Sequence, residues 1–205
     1  MANMAFDTET SGINPAVHCV LTAFFAILDE NDSVVDELDL KIMPDSGEIV
    51  FEEEALKVNG INLEEHKKEA ITYSEAKPLI LEFFKKNSPK KRSLIPSGHN
   101  INFDINMIIG CGLLTQEEWD KHVHYRTLDT TPLTSFLKEV DILPSKVGNL
   151  GSLVDHFGLE KRNAHNAKED VLMWVDVFKA YKKMLTDMKK GALTNSESLD
   201  ILLIE

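Results

Sequence analysis

The sequence predicts a single α/β domain with a five-stranded mixed sheet and flanking helices. Three strand-like segments come first, and strand-like and helical segments then alternate. With 205 residues, of which 43% are apolar, the chain is long enough to bury one full core without disulfides. We therefore expect an antiparallel meander extended by parallel strands across residues 1–190, followed by a C-terminal tail at residues 191–205.

The meander is indicated by apolar content and by turn residues. Residues 1–6 form a short first strand, and residues 18–28 form a longer apolar strand. Residues 34–43 alternate apolar with charged side chains, which is typical of a strand with one solvated face. Asn31 and Asp32 favour a turn between the second and third strands, so the segments are expected to pair antiparallel.

Capping residues and helical periodicity predict the elements that follow. Thr72 or Ser74, together with Glu75, opens a helix that runs to Asn87, and Asp129 caps a later helix. The other predicted helices cover residues 52–59, 63–69, 102–110, 117–122, 130–139, 149–157 and 167–188, and the other strands cover residues 93–97 and 125–128.

The composition indicates a soluble cytoplasmic protein. The N-terminus lacks a signal-peptide pattern, and no apolar run reaches membrane-spanning length, so we expect no membrane contact. Cys19 and Cys111 lie in apolar surroundings without metal-ligand spacing, which favours buried thiols in a reducing compartment. Beyond Gly191, an apolar stretch at residues 199–204 either packs back on the domain or binds a protein partner.

Two acidic residues at the end of the first strand point to a metal. Asp7 and Glu9 are two positions apart, so on a strand their side chains project from the same face. Their carboxylates repel each other unless a cation lies between them, and oxygen ligands suit magnesium or manganese. Asp104, His165 and Asp170 supply what such a site still lacks.

Three motifs carry a family resemblance. Asp-Thr-Glu-Thr-Ser-Gly at residues 7–12, His-Asn-x-x-Phe-Asp at residues 99–104 and His-x-x-x-x-Asp at residues 165–170 resemble the DEDD superfamily of 3′→5′ exonucleases. The match is to its histidine (DnaQ-like) subgroup, which includes the proofreading subunit of bacterial replicative polymerase, ribonuclease T and oligoribonuclease. The resemblance extends from about residue 4 to about residue 183. It implies a ribonuclease-H-like fold.

The resemblance also implies an activity and its cofactors. It implies hydrolysis of phosphodiester bonds from single-stranded 3′ ends, with DNA favoured over RNA, and release of nucleoside 5′-monophosphates. Asp7, Glu9, Asp104 and Asp170 would hold two divalent cations, Mg²⁺ or alternatively Mn²⁺. Two such cations about 4 Å apart stabilise both the attacking and the leaving oxygen.

His165 is the predicted general base. An imidazole that changes charge between pH 5 and 8 can accept the proton of the attacking water near neutral pH. A zinc ligand is the rival interpretation, but no second histidine or cysteine lies at ligand spacing. Taken singly, Asp104 and Asp170 would be ordinary acids in the first turn of a helix.

Substrate contacts are expected beside the motifs. Phe103 would stack on a base or else pack in the core, Asn100 would contact the scissile region, and His99 would make a structural hydrogen bond. The remaining candidates follow the two acids of the first motif or lie in a loop like one that packs against the last base in relatives: Thr10, Ser11, Gly12, Asn59, Gly60 and Ile61.

The net charge of the chain limits the substrates that it could bind, and two alternative functions remain open. A net charge of −12 argues against a wide grip on duplex DNA and favours binding of a few nucleotides at a 3′ end. One alternative is an oligoribonuclease-like enzyme for very short RNAs. Another is a non-catalytic nucleic-acid-binding or docking subunit. The absence of a polymerase domain in these residues means that a proofreading role would need a polymerase partner, which the tail could contact.

Overall fold

The computed structural model describes residues 1–162 and 165–194, with side chains described as far as residue 191. A six-stranded mixed sheet has the order β4-β3-β2-β1-β5-β6. The strands are β1 (Ala2–Thr10), β2 (Val20–Leu28), β3 (Val34–Met43), β4 (Ile71–Thr72), β5 (Leu94–Gly98) and β6 (Leu128–Asp129). The helices are α1 (Glu53–Asn59), α2 (Leu63–Glu69), α3 (Tyr73–Asn87), α4 (Ile101–Gly110), α5 (Gln116–His122), α6 (Thr130–Glu139), α7 (Leu150–Phe157) and α8 (Ala167–Thr194).

The predicted antiparallel meander is confirmed, but its first strand is longer than predicted. β1 pairs with β2, and β2 pairs with β3. The prediction that the first strand ends at residue 6 was wrong, because Asp7 pairs with Phe24 and Glu9 pairs with Thr22. β-branched threonines alternate with the two acids, and such residues favour the pleated strand. Asp7 and Glu9 therefore lie within the sheet.

Parallel strands extend the sheet on the side of β1. β5 pairs parallel to β1, and β6 pairs parallel to β5, so the carboxyl ends of these three strands meet at one edge. The sixth strand is β4, which pairs parallel to β3 through Ile71 and Thr72. Five strands were predicted, because a two-residue strand directly before a helix shows no periodicity. The strand predicted at residues 125–128 is confined to Leu128–Asp129.

Successive residues along β1 and β2 are buried on opposite faces of the sheet. Phe6 and Phe25 stack in the larger core, which also contains residues of α3, α4 and α5. Ala5 and Phe24 project to the other side and pack against α8, where Trp174 is buried. This alternation is the two-residue period of a strand. It places α8 across the face of β1 and β2.

Two helices begin at the capping residues that the sequence predicts. Thr72 and Glu75 form a reciprocal capping box at the start of α3. Asp129 accepts a hydrogen bond from the backbone N–H of Thr131 and so caps α6. The last helix continues to Thr194, beyond the predicted end at residue 188. The predictions about residues 199–204 lie outside the described residues.

The two cysteines carry free thiols. Cys19 is buried, as predicted, and Cys111 is half-buried. In the part of the chain that the structure describes, no helix combines the length and the apolar character needed to cross a bilayer.

Candidate metal centre and active site

Three carboxylates converge where β1 meets the start of α8. Asp7 and Glu9 come from β1, and Asp170 comes from the first turn of α8. One oxygen from each lies within 4.8 Å of the other two. The structure thus brings together three of the four predicted metal ligands, from segments more than 160 positions apart in the chain.

The local electrostatics favour a cation at this position. Burial raises the pKa of Asp7 well above its ordinary value, and Asp104, Glu9 and Asp170 raise it further. Burial, followed by repulsion from Asp170 and Asp104, raises the pKa of Glu9 to about 8. A nearby positive charge favours the ionised form of a carboxylate and would oppose both of these effects. Because the donors are all hard oxygens, they fit Mg²⁺ or Mn²⁺ chemically.

Asp104 is close to the cluster but set back from it. Only 4% of its surface is exposed, and its Oδ1 accepts hydrogen bonds from the backbone N–H (2.9 Å) and the hydroxyl (2.7 Å) of Thr8. Burial raises the pKa of Asp104 to about 7, while the bonds from Thr8 act in the opposite direction. The sequence analysis missed Thr8. Its position between the two acids of the first motif was the available signal.

Packing of α8 on the sheet aims Asp170 at the site. Ala167, Val171 and Trp174 are buried against the sheet and fix the rotation of the helix. The ammonium group of Lys168 lies 2.7 Å from a carboxylate oxygen of Glu37 on β3. Asp170 occupies the same first turns, so its side chain reaches the acids of β1.

His165 lies at the mouth of the cluster. Its backbone has a φ of 64°, in the left-handed region that few side chains other than glycine adopt. Its backbone N–H donates a 3.3 Å hydrogen bond to Oδ2 of Asp170. The predicted base and the predicted ligand are therefore joined directly, and His165 is exposed to solvent.

A cavity of about 530 Å³ opens on one side of the cluster. Asp7, Asp170 and His165 line it, together with Asn100. The residues that sequence reasoning missed on its far wall are Asn149, Leu150 and Gly151. The available signal was the asparagine cap that starts α7, where the side chain of Asn149 accepts a hydrogen bond from the backbone N–H of Ser152.

The second motif is held in place by hydrogen bonds to the start of α6. Asn100 has a φ of 62°, and its backbone N–H donates to Asp129. A ring nitrogen of His99 lies 3.0 Å from the hydroxyl of Thr130, in agreement with the predicted structural hydrogen bond. Burial lowers the pKa of His99, which favours the neutral ring.

A smaller cavity of about 300 Å³ lies next to Glu9. It brings together three predicted substrate contacts, Thr10, Asn59 and Phe103. The side-chain amide of Asn59 donates a 3.0 Å hydrogen bond to the backbone oxygen of Thr10, which joins α1 to the end of β1. Phe103 also packs partly against the larger core, which confirms the packing role predicted for this ring, whereas its stacking on a base stays a prediction.

Four other predicted contacts lie outside the lining of these two cavities. Ser11 is fully buried, and its hydroxyl bonds to the backbone of Val50 and Cys19. The remaining three are Gly12, which packs against the ring of His18; Gly60, which ends α1 with a φ of 67°; and Ile61, which packs against the core. Their contacts shape the loops around the smaller cavity.

Comparisons with protein-family models and with curated proteins find no match. Among solved structures, the zinc-bound form of the E. coli exonuclease I–single-stranded DNA complex has a TM-score of 0.70 and 17% identity, over 94% of this chain and 43% of that one. E. coli exonuclease I with a dT13 oligonucleotide has a TM-score of 0.67 and 16% identity, with coverage of 94% and 43%. A moderately thermophilic exonuclease I from Methylocaldum szegediense has a TM-score of 0.68 and 16% identity, with coverage of 95% and 43%.

These likenesses establish the fold. The predicted α/β, ribonuclease-H-like architecture, with a mixed sheet and flanking helices, is confirmed apart from the number of strands. This chain spans about two fifths of the length of the exonuclease I chains that it matches. The chain therefore has the fold found in one part of exonuclease I.

Proposed function

We propose that this chain is a metal-dependent 3′→5′ exonuclease of the DEDD histidine subgroup. It would remove nucleoside 5′-monophosphates from single-stranded 3′ ends, with DNA favoured over RNA. The observation that carries the proposal is the convergence of Asp7, Glu9 and Asp170 within 4.8 Å beside His165. The likeness to exonuclease I, which was solved with single-stranded DNA, supports the same activity.

The four acids are the proposed metal ligands. Asp7, Glu9 and Asp170 would hold two divalent cations, and Asp104 would complete the set from its position behind Thr8. The bound cations would supply charge stabilisation at the attacked phosphate and at the leaving oxygen. Thr8 keeps Asp104 oriented towards the cluster, and the packing of α8 does the same for Asp170.

His165 is the proposed general base. Its imidazole would take a proton from the water that attacks phosphorus, and would pass that proton to solvent because the residue is exposed. The bond between phosphorus and the 3′ oxygen of the preceding nucleotide breaks, and that oxygen takes up a proton. The phosphate stays on the departing 5′-monophosphate. The hydrogen bond from the His165 N–H to Asp170 positions the residue for this step.

The two cavities support binding of the strand in one direction, with its 3′ end beside Glu9. The smaller cavity adjoins Glu9 and would hold the terminal nucleoside, whereas the larger one adjoins Asp7, Asp170 and His165. The preceding nucleotides would leave through the larger cavity. A net charge of −12 suits contact with a few nucleotides at an end.

A labelled-oligonucleotide assay tests the proposal. With a 5′-labelled single strand and Mg²⁺ or Mn²⁺, we expect a ladder that shortens from the 3′ end and stops when the metal is chelated. Asp7→Asn should abolish the ladder, and His165→Ala should slow it by about 10²–10⁴-fold. Asp39→Asn is the matched control, because Asp39 is exposed on β3 in the cross-strand row that contains Asp7 and Phe24.

The same assay separates the alternatives. Rapid cleavage of RNA dinucleotides with slow cleavage of a 20-mer would favour the oligoribonuclease-like enzyme. Binding of oligonucleotide without any metal-dependent cleavage would replace the proposal with a non-catalytic binding subunit. Wild-type cleavage by both Asp7→Asn and His165→Ala would refute the proposed mechanism.

A further inference from the structure

The smaller cavity has an apolar wall next to the proposed metal site. Ile13, Val58 and Phe103 line it, and Ile13 and Val58 are 71% and 50% exposed. Apolar side chains that stay exposed around a cavity provide a surface on which a base can stack or pack. The wall therefore suits the flat base of a terminal nucleoside.

The polar part of the cavity is acidic. Glu9, Glu52 and Glu54 all line it, and among the described residues none that line it is a lysine, an arginine or a histidine. Carboxylates accept hydrogen bonds and repel anions. A group that approaches Glu52 or Glu54 should therefore be a hydrogen-bond donor without negative charge, as the sugar hydroxyls and base amino groups of a nucleoside are.

Glu52 is held in a defined position. Its backbone N–H donates a 2.7 Å hydrogen bond to the backbone oxygen of Ser11, which ties it to the loop after β1. Nε2 of His18 lies 3.7 Å from its carboxylate. Because Nδ1 of His18 accepts a hydrogen bond from the Asn14 N–H, the proton of the neutral ring is on Nε2 and faces Glu52.

The ring of His18 is itself fixed. It is 8% exposed, and a Cβ at Gly12 would lie only 2.5 Å from it. Glu54 differs, because its side chain is 84% exposed and, among the described residues, its one ion pair is a 3.8 Å contact with the exposed Lys57. The two glutamates thus share a cavity and a charge, but the side chain of Glu52 is 43% exposed and faces a buried ring, so it is more restrained than that of Glu54, which makes Glu54 a matched control.

We propose that Glu52 is a specificity-determining residue that accepts a hydrogen bond from the terminal nucleoside. The donor would be either the exocyclic amino group of a base or the 2′-hydroxyl of a ribose, and in the second case a terminal ribonucleotide would be an exception to the proposed preference for DNA. The inference rests on the proposed exonuclease activity and adds selection among 3′ ends to it. One hydrogen bond to a charged acceptor changes relative rates by about tenfold or more.

Oligonucleotides that differ only in the last nucleoside test this inference. Terminal dU is the reference, terminal dC replaces its O4 carbonyl and N3–H with an amino group and an acceptor N3, and terminal rU adds a 2′-hydroxyl. We expect wild-type protein to remove at least one of the latter two about tenfold faster in kcat/KM than dU. Glu52→Ala should reduce that ratio to near one, whereas Glu54→Ala should keep it. The nucleoside that gives the preference identifies the donor.

The outcomes separate this inference from the proposed function. If wild-type protein degrades none of the oligonucleotides, the exonuclease proposal fails. If it degrades all of them with equal kcat/KM, or if Glu52→Ala keeps the wild-type preference, only the role of Glu52 is refuted. Glu52 makes no side-chain cap hydrogen bond to α1, so thermal unfolding of Glu52→Ala should resemble that of the wild type and confirm that the variant is folded.

Discussion

At the scale of single residues, the central feature is the burial of four carboxylates, with repulsion from the other acids as a second effect at Asp7 and Glu9. Asp7, Glu9, Asp104 and Asp170 all have raised pKa values, with burial as the largest cause in each. In water each of these groups would ionise freely, so bringing them together costs free energy of folding. A divalent cation offsets this cost and links metal binding to stability.

The raised pKa of Glu9 predicts a pH dependence of the metal-free protein. Its folded-state pKa is about 8, against about 4.3 for an unperturbed glutamate. The folded state therefore binds the proton more tightly, and this contribution to stability is greatest at low pH and is lost as the pH rises through about 8.

Thermal unfolding in a chelator tests that dependence. We expect the melting temperature to fall between pH 5 and pH 8. The fall should be smaller in Glu9→Gln, because a glutamine side chain does not ionise in this range. An equal fall in both proteins would show that Glu9 does not carry the effect. Adding Mn²⁺ at pH 8 should restore the melting temperature of the wild type more than that of Glu9→Gln.

The hydrogen bond from Thr8 to Asp104 predicts an effect of mutation on the stability of the protein. Thr8→Val removes the hydroxyl that donates to Oδ1 of Asp104 and leaves a buried carboxylate one donor short. We expect a loss of about 1–3 kcal/mol in the free energy of unfolding, larger at high pH, where Asp104 is ionised, than at low pH, where burial keeps it protonated. Thr8→Ser keeps the hydroxyl and should lose much less. Denaturant unfolding of the two variants measures the difference.

The sequence predicts which residues come together where a short-range pattern exists. The spacing of Asp7 and Glu9 places both on one strand face, and the structure has them so. The cap at Asn149 marks the start of α7, but the place of Asn149–Gly151 on the cavity wall depends on how α7 packs against α8, which a local pattern does not contain. Glu52 likewise owes its position to the distant His18.

At the scale of elements, the loop after β1 is fixed by a close approach that only glycine permits. A Cβ at Gly12 would lie 2.5 Å from the ring of His18, which is buried and cannot easily move. The loop also connects Ser11 to Glu52 through a backbone hydrogen bond. The end of β1, and with it the smaller cavity, therefore depends on this packing.

Gly12→Ala tests that dependence. We expect destabilisation by about 1–3 kcal/mol through overpacking, and a raised KM for oligonucleotides because the cavity lining shifts. Gly148→Ala is the control, because its added Cβ would lie no closer than 3.7 Å to the end of the Lys138 side chain. Equal unfolding free energies for the two variants would contradict this account of the loop.

Helices and strands with a clear hydrophobic period or a helix cap were predicted. Strand segments that form only by pairing with a neighbouring strand were not. The capping box of Thr72 and Glu75 marked the start of α3 correctly. The added length of β1 comes from pairing with β2, and β4 exists only because β3 lies beside it. Both depend on a neighbouring strand, which a local pattern does not contain.

At the scale of the whole molecule, the sheet joins distant segments at one edge. β1 and β5 run parallel, so the end of β1 and the start of α4 after β5 meet at this edge, and α8 packs across the face of β1. The three motifs therefore lie together in one site at this edge of the sheet. The same architecture appears in part of exonuclease I.

Anomalous diffraction from a crystal of this protein grown with Mn²⁺ tests the central claim most directly. The account predicts anomalous peaks within coordination distance of the carboxylates of Asp7, Glu9 and Asp170, and their loss in Asp7→Asn crystals grown under the same conditions. Wild-type crystals at saturating Mn²⁺ that show no peak at these carboxylates would contradict it.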